Sequence, residues 1–284
     1  MRECSASDAA QLAQTEKRNR LATKDTPDGI TANKSVRRAV ITGAAHGLGL
    51  AIAKRLATDG AFVLLVDCDS TVLSRVTGNG FAAERAFALV KDLSEPDAAL
   101  VVFERAASTI GLVDTLINNA AWSFHKPMVD VTTSEFDRVV NINQRAPFFL
   151  AQAMLKQISV AKDRPSDPVI VNIGSVNALA GNANLVAYAG TKGALTTMTR
   201  TMAVEMSPWG IRVNAICPAA IKTHVTNNLI ATGVIDPSQL FEKYLQKRFA
   251  SCEEIAELVS YLCSDSATYV NGANWIIDGG YLAQ

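Results

Sequence analysis

No stretch of the sequence approaches the roughly 20 apolar residues that a membrane-spanning helix needs; the longest apolar runs, such as AFVLLV at 61–66, are strand-length. Neither sign of charge is in surplus. Lys plus Arg and Asp plus Glu both number 27, so nothing electrostatic points to nucleic acid or to an anionic membrane face as a partner. The five cysteines, Cys4, Cys68, Cys217, Cys252 and Cys263, show no CxxC or zinc-type spacing. His46, His125 and His224 lie too far apart for a local metal motif, so no metal site is expected. An odd, unpatterned set of thiols fits a reducing compartment. The first 35 residues lack the apolar core of a secretory signal, and Glu3, Asp8 and Glu16 break the acid-poor pattern of a mitochondrial presequence. A cytoplasmic location is therefore expected.

What the chain does have is core material. Hydrophobic residues make up 49% and charged residues 19% of 284 positions, and a fold of that size buries roughly 75% of its unfolded surface. Residues 1–35 are polar without an apolar period and read as a flexible N-terminal extension. From residue 36 to 284 apolar strands alternate with helices. The strands are expected at 37–42, 61–67, 87–92, 114–120, 168–175, 211–218 and 274–280. Leu48, Ile52 and Leu56 sit at helical spacing before Gly60. Further helices are expected near 95–110, 133–145, 147–160 and 187–207, and after the Ser251/Glu254 capping box to about 264. The alternation implies an α/β fold, a parallel sheet covered on both faces and wound right-handedly into a doubly wound, Rossmann-like sheet. With no internal repeat and no low-complexity linker, 36–284 reads as a single domain.

TGAAHGLGL at 42–50 joins the first strand to the first helix, with Gly43, Gly47 and Gly49 in a G-x-x-x-G-x-G spacing. Missing Cβ atoms permit a tight turn and let a pyrophosphate approach the backbone, and the helix N-terminus supplies N–H donors. Asp67 ends the second strand. A carboxylate there accepts hydrogen bonds from both adenosine ribose hydroxyls and repels a 2′-phosphate, and position 46 is His rather than Arg or Lys. NAD is therefore favoured over NADP.

The set formed by TGAAHGLG (42–49), NNA (118–120), Ser175 and YAGTK (188–192) resembles the short-chain dehydrogenase/reductase family. The resemblance runs from about residue 37 to the C-terminus and includes CPAAIKT (217–223) and IIDGG (276–280). It implies one domain with a seven-stranded sheet, an NAD-linked oxidoreductase activity and a homotetramer. By position it assigns Tyr188 as general acid/base, Lys192 as its partner and Ser175 as the group that polarises the substrate oxygen. Asn143 is the fourth catalytic residue, with Asn141 as the competing choice. Asp92 resembles the adenine-side acid, and the Ile221 backbone with Thr223 would hold the nicotinamide carboxamide. His46, Leu48, Leu93 and Asn119 complete the expected cofactor set with Gly43, Gly47, Gly49, Asp67, Tyr188 and Lys192.

These residue types suit the chemistry. Hydride transfer to a carbonyl carbon leaves charge on its oxygen, which needs a nearby proton donor. An ammonium one helical turn from a phenol favours the phenolate, as does the positive ring of the oxidised cofactor. Asn143 is expected to order a water that relays protons from Lys192. Ala121 and Ala219 stand where the family usually has glycine, and Gly174 stands where it often has serine. The expected reaction interconverts a secondary alcohol and a ketone. A 3-oxoacyl thioester reductase is the alternative within the chemistry, and a catalytically silent NAD-binding sensor or scaffold the alternative outside it. The segment 224–249, with Leu229, Ile230, Leu240, Phe241 and Leu245, reads as a lid over the substrate. Trp122, Phe124 and His125 are candidate cleft residues. A small polar or cyclic alcohol is favoured, and a polyol or sugar, an acyl thioester and a steroid alcohol stay open.

Overall fold

Seven apolar runs become the seven strands of one sheet: β1 Arg38–Thr42, β2 Phe62–Asp67, β3 Ala86–Val90, β4 Thr115–Asn118, β5 Val169–Ile173, β6 Arg212–Pro218 and β7 Asn274–Ile277. The structure is a computed structural model and describes residues 36–77, 81–82 and 84–284. The expected N-terminal extension, 1–35, and Cys4 within it lie outside the described residues. The strand order is β3-β2-β1-β4-β5-β6-β7, and every adjacent pair is parallel. This is the expected doubly wound sheet, with its change of winding direction between β1 and β4.

Parallel strands need crossovers, and the helices supply them on both faces. They are α1 Gly47–Thr58, the short α2 Val72–Arg75, α3 Ala98–Thr109, α4 Thr133–Val140, α5 Ala146–Val160, α6 Val186–Met206, α7 His224–Ala231, α8 Pro237–Glu242 and α9 Cys252–Leu262. Alternation along β1 splits the core in two. Ala39 and Ile41 join Ile52, Leu56, Ile255 and Val259 on the α1/α9 face. Val40 joins Phe103, Leu150, Met154 and Met206 on the α3/α5/α6 face. The Ser251/Glu254 capping box opens α9 as expected. Gly210 ends the α6 region in the left-handed conformation, φ 71°, which only glycine adopts at no steric cost. Val36–Gln284 forms one compact unit.

Two differences from the sequence expectations matter for the site. Strands expected at 87–92, 114–120, 168–175 and 274–280 end at Val90, Asn118, Ile173 and Ile277. At the carboxyl rim the chain leaves the ladder, and after β3, β4 and β5 the departing residues Asp92, Asn119, Ala120, Gly174 and Ser175 line a cleft. The helices expected at 133–145 and 147–160 are joined by a π-helical turn, Asn141–Arg145. Such turns widen a helix locally and often mark functional positions.

Candidate active site

The rim of the sheet encloses a cleft of about 710 Å³, lined from the glycine turn at one end to Leu229, Ile235 and Leu240 at the other. That lies within the size range of small-molecule and cofactor sites.

The nucleotide end is built by interlocking two motifs that are distant in sequence. Thr42 Oγ1 accepts from the backbone N–H groups of Asn119 and Ala120, both at 3.0 Å. Asn119 Nδ2 donates to the carbonyls of Thr42 (2.9 Å) and Gly43 (3.1 Å). The turn is folded so tightly that a Cβ on Gly49 would lie 2.1 Å from the Gly43 oxygen, and one on Gly43 would lie 2.8 Å from Ala120 Cα. α1 opens from this turn with no side-chain cap at His46 and no acid in its first turn, so its leading N–H groups are free for an anion. Leu48 and Leu93 are buried and line the cleft.

Asp67 reaches the same end. Its carboxylate accepts from Ala45 N at 2.9 Å and Asp69 N at 3.0 Å, which leaves one lone pair on each oxygen for a ribose hydroxyl. His46 is clasped by Asp69 (2.8 Å), Thr71 (3.1 Å) and Arg75 (3.0 Å). The guanidinium of Arg75 thus stands at the mouth of the glycine turn although the turn itself has no Arg or Lys. It is partly committed, because its Nε donates to the Ala45 carbonyl at 2.8 Å. Asp92, two residues beyond β3, accepts from Ser94 N at 2.8 Å, and that bond is the main reason its carboxyl lies below the usual range. Cys68, exposed beside Asp67, also lines the cleft.

At the other end, β5 and α6 bring Ser175, Tyr188 and Lys192 together. Ser175 is 6% exposed; its Oγ accepts from Asn177 N at 3.1 Å, and its hydroxyl bonds with the Tyr188 phenol on the cleft wall. Lys192 is 2% exposed; its Nζ donates to the Ile173 carbonyl at 2.6 Å and sits 5.7 Å from the centre of the Tyr188 ring. Burial holds Lys192 down to about 8. Burial likewise pushes Tyr188 up to about 12, and a hydrogen bond with Ser175 pulls it partly back. The expected pull toward the phenolate comes from the ammonium and the positive nicotinamide ring together, and burial of the two side chains opposes it. Both groups lose hydration, desolvation favours the neutral form of each, and the ammonium is turned toward a carbonyl.

Asn143, not Asn141, is the buried amide of the π-turn, 1% exposed. Its Oδ1 accepts from Trp122 N at 2.8 Å. Its Nδ2 donates to Trp122 O at 2.9 Å and Thr191 Oγ1 at 3.2 Å. Both amide protons are bonded within the protein, so the side chain braces the loop after β4 against α6. Ile221 pairs with Ala250 in an isolated bridge, and its carbonyl accepts from Thr226 Oγ1 at 2.7 Å. Thr223 caps α7 and faces Gly47.

The alanines that replace family glycines cause no backbone strain, because neither Ala121 nor Ala219 has a positive φ. Gly174 has a local reason: a Cβ there would meet Cys217 Sγ at 2.8 Å. Trp122 and His125 line the cleft, and burial holds His125 below its usual value. Phe124 instead packs on Trp122, 5.2 Å between ring centres. In the expected lid, Leu229 and Leu240 face the cleft, whereas Phe241 packs against Phe249 at 4.8 Å and Leu245 is exposed. Asn177, Asn182, Tyr244 and Tyr281 also line this end. No local pattern marks them, since three loops far apart in sequence supply them. Among the described residues no group of three His, Cys, Asp or Glu is placed to hold a metal, and no helix is long and apolar enough to cross a membrane.

A family model described as enoyl-(acyl carrier protein) reductase matches residues 43–282. The chain is 31% identical over 248 residues to meso-2,3-butanediol dehydrogenase of Serratia marcescens, covering 86% of this chain and 94% of that one. It is 32% identical over 258 residues to carbonyl reductase [NADPH] 2 of Sus scrofa, covering 88% and 98%. Among solved structures, 4-hydroxyisoleucine dehydrogenase complexed with NADH superposes with a TM-score of 0.79 at 27% identity, covering 87% of this chain and 99% of that one.

Proposed function

The chain belongs to the short-chain dehydrogenase/reductase family, a family of nicotinamide-dependent oxidoreductases of CH–OH groups, and from that premise we propose that it uses NAD, with Tyr188 as general acid/base, to interconvert a secondary alcohol and its ketone. The observation that carries this reading is the convergence of Ser175, Tyr188 and Lys192 on one wall of a cleft whose other end is an uncapped, glycine-lined helix N-terminus.

The residues present fit a nicotinamide dinucleotide. The glycine turn and the leading N–H groups of α1 suit the pyrophosphate, Asp67 suits the ribose, and Asp92 with Leu93 suits the adenine edge. Asn119 shapes the turn, and Ile221 with Thr223 suits the carboxamide. When bound, the cofactor accepts or returns the hydride and, oxidised, adds a positive charge beside Tyr188. The Ser175 hydroxyl donates to the substrate oxygen and fixes the reacting carbon. Tyr188 takes the hydroxyl proton in oxidation and returns it in reduction. Lys192, held by Ile173, keeps a positive charge beneath the phenol, and Asn143 fixes the loop that closes the cleft.

NAD over NADP rests on the Asp67 carboxylate, reinforced by Asp69, against an Arg75 already bonded to Ala45 and His46. The free thiols of Cys68, Cys217, Cys252 and Cys263 support a reducing compartment, the cytoplasm. Exposed Phe136, Phe148, Val186 and Val204 on α4, α5 and α6 support pairing of copies in a homotetramer. The test is absorbance at the reduced-nicotinamide band, with NAD and NADP offered against a panel of secondary alcohols. Turnover with NAD supports the reading. A preference for NADP overturns the role given to Asp67, and NADH binding without turnover on any alcohol favours a sensor.

A further inference from the structure

We propose that Asn177 is a specificity-determining residue whose amide Nδ2 binds an oxygen on the carbon next to the reacting carbinol, so that the preferred substrates are vicinal diols and their 2-hydroxyketones. This rests on the oxidoreductase reading above and deepens it.

The argument starts at the last turn of the chain. Asp278 accepts from Gly280 N at 2.9 Å and Leu282 N at 2.8 Å, which fixes the turn carrying Tyr281. The Tyr281 ring packs on Tyr244, 5.3 Å between centres, and the Gly279 carbonyl accepts from Gln246 N at 3.0 Å. So held, the Tyr281 hydroxyl donates to Asn182 Oδ1 at 3.1 Å. Asn182 Nδ2 in turn donates to Asn177 Oδ1 at 2.6 Å. The relay holds the Asn177 amide by its oxygen and leaves its Nδ2 without a hydrogen-bond partner among the described residues. Asn177 lies two residues after Ser175, is tied to it through the Asn177 N–H, and lines the same cleft.

The chemistry follows from position. Ser175 and Tyr188 engage the reacting oxygen, and the Asn177 amide, two residues after Ser175, offers a further donor in the same cleft. Apolar Val176, Ala183, Leu185 and Ile235 line the same cleft. A substrate oxygen one carbon from the carbinol satisfies this donor, and a plain alcohol that displaces water from the cleft leaves it unpaired, the asymmetry that gives hydrogen-bonding sites their selectivity. Asn182 and Tyr281 are positioning residues that act through Asn177.

The test uses the full chain with saturating NAD and matched pairs: butane-2,3-diol against butan-2-ol, and cyclohexane-1,2-diol against cyclohexanol. The wild type is expected to favour each diol by at least about tenfold in kcat/KM. Asn177→Ala should lower that ratio by about tenfold. Asn177→Asp should lower it as far, because a carboxylate only accepts. Tyr281→Phe, remote from Ser175, should lower it partially, mostly through KM. A ratio unchanged in Asn177→Ala, or retained in Asn177→Asp, overturns the proposal, as do equal losses on diol and plain alcohol. Equal wild-type turnover of both members of each pair sinks this inference alone and leaves the oxidoreductase reading standing. NADH binding without turnover of any pair sinks both.

Discussion

Gly49→Ala isolates the nucleotide end of the cleft. The added Cβ would stand 2.1 Å from the Gly43 oxygen, 2.6 Å from Asn119 Nδ2 and 2.8 Å from the Gly43 carbonyl carbon. To reach ordinary contact the Gly43 carbonyl must retreat by about 1 Å or more. It is not free to do so, because Asn119 Nδ2 holds it at 3.1 Å and Asn119 is itself tied to Thr42. Overpacking of this kind costs about 1–3 kcal/mol, or roughly 2–4 °C in Tm per kcal/mol for a domain of this size. The opened turn also misaligns the first N–H groups of α1, and NADH affinity should fall at least about tenfold, ~1.4 kcal/mol. At 100 times the wild-type Kd, NADH stabilises the wild type by about 2.7 kcal/mol and a tenfold weaker variant by about 1.4 kcal/mol. Thermal melts with and without NADH, beside a fluorescence titration, read both effects. Gly190→Ala is the contrast: a Cβ there meets nothing within 4 Å, so that variant should melt at or above the wild type. An unchanged Tm and unchanged NADH affinity in Gly49→Ala would refute the reasoning about the turn.

Lys192 gives a pH signature. Its value is lowered to about 8 from 10.5 by burial, so between those pH values the unfolded chain binds more protons and stability rises with pH. Relative to Lys192→Met, the wild type should gain up to about 3 kcal/mol between pH 8 and 10.5, read by denaturant melts across that range; a constant difference would contradict it. Asp67→Asn removes the charge that opposes a 2′-phosphate, and the NAD/NADP ratio of kcat/KM should fall about tenfold, ~1.4 kcal/mol. An unchanged ratio would show that Asp67 does not select the cofactor. Alkylating Cys68 should abolish NADH binding, with NADH protecting the thiol. Burial and the neighbouring Asp67 raise the Cys68 value, so labelling should quicken above pH 9; labelling without loss of binding would remove Cys68 from the nucleotide wall.

The sheet, its helices and the phosphate turn were legible because period and glycine placement are local. Ile52 and Leu56 fall at helical spacing whatever the rest of the chain does, and Gly43 and Gly49 leave room that nothing else can. Strand ends were overread at β3, β4, β5 and β7, because residues such as Asp92, Ala120 and Ser175 leave the ladder while remaining strand-like in sequence. Arg75 beside His46 was illegible, since the crossover through β2 brings it there. The same holds for the Asn177–Asn182–Tyr281 relay, which joins residues 99 positions apart. The degree of burial at Tyr188 was illegible for a related reason: spacing puts an ammonium one turn away but does not reveal how far each group is desolvated.

The central claim is that Tyr188 moves the proton while the rest of the cleft binds nucleotide. It is tested most directly by Tyr188→Phe, with turnover followed at the reduced-nicotinamide band and NADH affinity titrated on the same preparation. General acid/base catalysis contributes about 10²–10⁴-fold, so kcat should fall by at least about a hundredfold with NADH affinity within about threefold of the wild type. A variant that turns over like the wild type, with NADH still bound, would contradict the account.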